Sequence, residues 1–108
     1  MNSLVKGKCI PCEAGTPPLQ GDEIQNLLAQ VQGWEVKQDK EIGKKWKFEN
    51  FIQAFDFVKK IAELAESEGH HPDITLGWGK ASVKLTTHAI GGLSRNDFIM
   101  AAKIDAIN

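Results

Sequence analysis

Residues 66–78 read ESEGHHPDITLGW, and the spacing of the apolar residues changes within them. Upstream, Phe51, Phe55, Val58, Ala62 and Ala65 recur at helical spacing, with Ile52, Ile61 and Leu64 widening the stripe. Downstream, Ile74, Leu76 and Trp78 alternate, as on a strand with one covered face. Gly69 stands at the change, where a helix can end in the left-handed conformation at least cost. Asn50 marks the other end, with a side chain suited to cap the first turn. These residues predict a long helix handing over to a strand through a tight connection that carries His70, His71 and Pro72. A stripe this wide needs a broad partner, which a sheet provides.

The same patterning extends in both directions. After Trp78, Gly79-Lys80 turns the chain, and Val83, Leu85 and Thr87 alternate in ASVKLTT, so the two strands form a hairpin. Gly91-Gly92 breaks the chain. Ser94-Arg95-Asn96-Asp97 then reads as a capping box, with Asp in place of Glu or Gln, opening a last helix with Phe98, Ala101, Ala102 and Ile104. Before Asn50, WEVKQD alternates Trp34, Val36 and Gln38. Asp39-Lys40-Glu41 turns, and IGKKWKF places Ile42, Lys44, Trp46 and Phe48 on one side. Asp22 is placed to cap a first helix carrying Ile24, Leu27, Leu28 and Val31, with Gly33 as its stop. The order is α-β-β-α-β-β-α. The expected fold is α+β, a four-stranded antiparallel sheet with three helices packed on one face. Residues 1–18, rich in Gly, Pro and small residues, are expected to be a loosely docked arm, and residues 19–108 a single domain. So small a sheet leaves edges that a second copy of the chain could close.

Composition excludes several classes. The 108 residues include 13 Lys and Arg against 14 Asp and Glu, a net charge of −1. That balance provides no footprint for nucleic acid and no polybasic membrane patch. No apolar run approaches the roughly 20 residues of a membrane span. MNSLVKGKCIPC holds no apolar stretch of signal-peptide length, so a cytoplasmic location is expected. Cys9-Ile-Pro-Cys12 is a C-x-x-C pair, a motif of redox dithiols and of half zinc sites. A redox pair would open a helix whose N-terminus stabilises the thiolate, but Gly15, Pro17 and Pro18 follow. A structural zinc needs four ligands, and there is no second cysteine pair. Two free thiols on the arm is the simpler reading.

Hairpin geometry places the histidines. The start of the third strand lies beside the end of the fourth, so His70, His71 and His88 converge at one rim of the sheet. Pro72 fixes its own φ and biases His71 to an extended backbone, which restrains the pair. Converged imidazoles are consistent with acid–base catalysis near neutral pH. They are equally consistent with loop histidines that have no task beyond solvation or a strand-end hydrogen bond. Metal ligation ranks behind both, because adjacent histidines point apart unless the loop bends sharply, although the carboxylates of Glu66, Glu68, Asp73 and Asp97 are expected nearby.

A resemblance favours catalysis. Glu66, three residues, His70-His71-Pro72, five residues, Trp78, nine residues, His88, eight residues, Asp97 is similar to the signature of the pterin-4a-carbinolamine dehydratases, seven residues across 32 positions. HHPDI, LTTH and GGLSRND fit as well, and the similarity runs over roughly residues 19–107. The resemblance implies that 4a-hydroxytetrahydrobiopterin loses water to give quinonoid dihydrobiopterin, restoring the pterin cofactor of aromatic amino-acid hydroxylases. It implies no metal and no organic cofactor. His70, His71 and His88 become the catalytic set, with His70 and His88 as acid–base groups and His71 also binding substrate. Glu66, Pro72, Trp78 and Asp97 join as substrate-site candidates. Each also has a plain structural reading: a solvated helix-end carboxylate, a backbone constraint, core packing and helix capping. Gly69 replaces the polar residue that many relatives carry before the histidine pair. The resemblance also implies a homodimer or homotetramer. Some relatives bind a homeodomain transcription factor, and no residue of this chain points to that partner.

Overall fold

The computed structural model describes residues 3–7, 9 and 17–107. Helix α1 (Gly21–Leu28) leads into a hairpin of β1 (Glu35–Lys37) and β2 (Glu41–Lys47). Helix α2 (Phe51–Glu68) precedes a second hairpin, β3 (Asp73–Gly77) and β4 (Lys80–Leu85), and α3 (Arg95–Ile107) follows. The four strands are all antiparallel in the order β1-β2-β4-β3, so the second hairpin inserts its later strand beside β2 and leaves β1 and β3 as edges. This is the expected α+β architecture.

Both ends of α2 form as their residues predict. The Asn50 side chain accepts the Gln53 N–H at 2.9 Å, and Gly69 adopts φ 69° while its N–H bonds the Ala65 carbonyl. The buried face is rotated from the expected one. Ala54, Phe57, Ile61 and Ala65 meet the core, whereas Phe51, Ile52 and Phe55 are 44%, 64% and 44% exposed and Ala62 faces out. The rings decide this: Phe57 packs at 4.8 Å from Trp46 of β2 and 5.4 Å from Phe48 just beyond that strand's end. Burial of one such side chain stabilises by about 1.5–3 kcal/mol, so the Phe57 stripe sets the helix roll.

Three smaller differences are local. Gln20, not Asp22, caps α1, and its N–H reaches Glu23 Oε1 at 3.4 Å. The first turn centres on Gln38 and Asp39, both at positive φ (54° and 56°), as a primed hairpin turn requires. The second turn is Trp78-Gly79, one residue early, with Gly79 at φ 66°. Trp78 is therefore 72% exposed and not in the core.

The arm is not loosely docked where it is described. A 3-10 turn, Ser3–Lys6, lies on α3, and Leu4 is fully buried. With the arm, α1 and α2 around it, α3 is buried on most sides: Asn96 to Ala102 and Ile104 are all inside. Cys12 lies outside the described residues.

Candidate active site

Asp97 organises the rim. It is the third residue of α3 and is fully buried, a position that demands hydrogen-bond partners for a carboxylate. Its Oδ2 accepts the Ser94 N–H at 2.9 Å, which is half of the expected capping box. The same oxygen accepts the Thr87 hydroxyl at 2.9 Å, and the Thr87 and Ser94 hydroxyls are 2.8 Å apart. Its Oδ1 accepts from His70 Nε2 at 2.6 Å. Capping is thus one part of its work. The other part is long-range: Asp97 holds His70 directly, and it holds the chain at Thr87, next to His88.

His70 follows the left-handed Gly69, which turns the chain off α2 and toward α3, and its side chain is only 13% exposed. Donation of Nε2–H to a carboxylate leaves Nδ1 as the nitrogen that takes up and releases a proton. His71 is exposed and donates to Glu66 Oε2. Glu66 therefore partners His71, not the nearer His70. His88 opens a 3-10 turn, His88–Ile90, three residues beyond the end of β4, and its ring is exposed. That turn is closed by the Gly91 N–H on the His88 carbonyl and by the Thr87–Gly92 bridge. Pro72 is half-buried at the entry to β3.

All three histidines line one cleft of about 390 Å³, within the usual range for small-molecule sites. Glu68, Thr86, Thr87, Asn96 and Cys9 also line it. Trp78 does not: it sits at the far end of β3, about 17 Å along the strand from Asp73 at ~3.4 Å per residue. There it lies at the end of the sheet where α2 begins, since the Phe48 N–H bonds the Gly79 carbonyl. Thr87 and Ser94 were read from sequence as a strand position and a helix cap, not as residues of the site. The clue was LTTH itself, a threonine between a strand and a histidine. Among the described residues, no three His, Cys, Asp or Glu side chains converge as a metal-binding group.

An imidazole held by a buried carboxylate, with two more imidazoles on the same small cleft, is an arrangement able to support general acid–base chemistry. The comparisons with known proteins give the chain a family. The profile described as "Pterin 4 alpha carbinolamine dehydratase" matches residues 17–107. A protein of Rubrobacter xylanophilus assigned by name to pterin-4-alpha-carbinolamine dehydratase is 45% identical over 107 residues, covering 99% of this chain and 100% of its own. One of Rickettsia canadensis with the same assignment is 50% identical, covering 98% of each. The chain belongs to the pterin-4a-carbinolamine dehydratase family, a family of hydro-lyases. Among solved structures, the transcriptional coactivator/pterin dehydratase from Brucella melitensis superposes with a TM-score of 0.77 at 33% identity, over 82% of this chain and 96% of that one. A pterin dehydratase-like protein described as a RuBisCO assembly factor shares the fold, with a TM-score of 0.61 at 24% identity.

Proposed function

We propose that this chain dehydrates 4a-hydroxytetrahydrobiopterin to quinonoid dihydrobiopterin in the cytoplasm, recycling the cofactor of aromatic amino-acid hydroxylases, with its histidines moving the protons. The observation that carries this reading is the buried Asp97, which orients His70 and anchors the residue before His88. Hydroxide is a poor leaving group. An imidazolium gives its proton to the C4a hydroxyl, the C–O bond breaks, and water departs. The N5 lone pair forms the C4a–N5 double bond, and the N5 proton passes to a base. One proton is given and one taken, so the histidine set returns to its starting state.

Roles follow position. His70, nearly buried and paired with a carboxylate, is suited to hold an imidazolium as it forms. His88, exposed in the turn after β4 and lining the same cleft, is the second acid–base group. His71, restrained by Pro72 and bonded to Glu66, binds substrate at the rim. A homo-oligomer accompanies this reading: Phe51, Ile52 and Phe55 form an exposed apolar stripe on α2, and β1 and β3 leave open edges. The test is to follow chemically generated 4a-carbinolamine with the purified chain, with and without chelator. Saturable acceleration that survives chelation supports the proposal. Decay at the buffer rate refutes the activity, and activity lost to chelator and restored by zinc refutes the mechanism.

A further inference from the structure

One wall of the cleft comes from outside the helix-and-sheet frame. The buried Leu4 pins the arm to α3, and Gly7 crosses Ile99 so closely that a Cβ there would lie 3.0 Å from Ile99 Cδ1. Two residues later the Cys9 backbone N–H donates to Glu68 Oε1 at 3.0 Å. The Cys9 thiol points to the Asn96 carbonyl oxygen, 3.7 Å away. Glu68 is the last residue of α2, two before His70, and its Oε2 lies 3.6 Å from Lys103 Nζ. Asn96 immediately precedes Asp97. The arm therefore bridges the two segments that carry the His70–Asp97 pair, and Cys9, Glu68 and Asn96 all face the cleft of the histidines.

We propose that the arm at Cys9 is a built wall of the pterin site and that Glu68 is the positioning residue that docks it there. The proposal rests on the dehydratase reading of the cleft. Glu68 acts through the Cys9 backbone and not on the substrate. Burial, then the neighbouring Glu68 carboxylate, pushes the Cys9 thiol up to about 12, so the wall presents a neutral S–H at physiological pH. The Cys9 N–H holds the Glu68 carboxyl below its ordinary range. A neutral thiol is a poor nucleophile, so this half of the C-x-x-C pair serves as a surface and not as a redox centre.

The test uses the thiol as its own reporter. The chain has two cysteines, so a Cys12→Ser background leaves Cys9 as the sole thiol. Alkylation by iodoacetamide is followed with and without 7,8-dihydrobiopterin. At ten times its Kd the ligand leaves about one site in eleven open, so labelling falls about tenfold if the arm is a wall of the site. Glu68→Ala removes a charge-assisted hydrogen bond, which corresponds to roughly tenfold or more in arm docking. It is expected to speed labelling to that extent and to raise KM more than it lowers kcat. Glu68→Gln keeps an acceptor oxygen for the Cys9 N–H but, like Glu68→Ala, lacks the charge that raises the thiol, so it restores most of KM while its labelling stays faster than the parent's. Turnover of carbinolamine with no protection of Cys9 by bound ligand overturns the wall and spares the dehydratase reading. Labelling of Glu68→Ala at the parent rate overturns the docking role. A chain that neither binds the dihydropterin nor turns over carbinolamine overturns both readings.

Discussion

Asp97→Asn is the sharpest single perturbation of the site. The two side chains have the same shape, so the fully buried pocket is not emptied. One amide oxygen can keep the Ser94 N–H and the Thr87 hydroxyl, both now at 2.9 Å from Oδ2. The amide nitrogen then faces His70 Nε2, where a carboxylate oxygen stood at 2.6 Å. Two donors cannot share that contact, so His70 is driven to carry its proton on Nδ1. The imidazolium also loses its counter-charge. A hydrogen bond to a charged group is worth about 1.5–3 kcal/mol. At about 1.4 kcal/mol per factor of ten, kcat falls roughly 10- to 150-fold. Stopped-flow dehydration against pH, with circular dichroism to check the fold, makes the measurement. A folded Asp97→Asn enzyme with wild-type kcat refutes the claim that Asp97 holds His70 in its working orientation.

Other consequences are as direct. His71→Ala, at an exposed rim position, raises KM more than it lowers kcat in steady-state kinetics; the reverse split contradicts its binding role. The wild-type chain sediments above its 11.9 kDa monomer mass at micromolar concentration, and Phe55→Glu on the exposed α2 stripe shifts it toward monomer; a monomeric wild type sinks the oligomer. The folded state prefers Cys9 protonated, so its contribution to stability is complete below the ordinary thiol value of 9.0 and is lost as pH rises from there toward about 12. Thermal melts above pH 9.0 should therefore fall more steeply for wild type than for Cys9→Ser, and parallel melts contradict this.

What was legible in the sequence, and what was not, divides by range. Asn50 and Gly69 act on backbone within four residues of themselves, and both were readable as caps. The convergence of the histidines was readable because a hairpin places strand ends together whatever the side chains. The face of α2 was not, because apolar residues occupy more of its circumference than one contact can bury. Periodicity alone does not say that Phe57, rather than Phe55, meets Trp46. The bond from Asp97 to His70 was hidden for a related reason, although Asp97 itself was singled out as a cap and a site candidate. Capping explains an N3 carboxylate locally, so its bond to His70, 27 residues away, left no trace in spacing. Leu4 is one apolar residue in a Gly- and Pro-rich arm and has no period to betray its burial. The arm's place in the cleft follows from Leu4, so that was hidden too.

The central claim is that imidazoles on this rim move the protons of dehydration. It is tested most directly by kcat for both C4a stereoisomers of the carbinolamine, comparing wild type with His70→Ala, His88→Ala and the double variant. His70 and His88 reach the cleft from different segments, the α2–β3 connection and the turn after β4, so each single variant is expected to keep partial activity that depends on the stereoisomer. The double variant should lose about 10²–10⁴-fold, the usual contribution of general acid–base catalysis. It should remain folded by circular dichroism, because neither ring belongs to the core. A folded double variant with near wild-type kcat on both stereoisomers would show that these histidines are not the proton carriers.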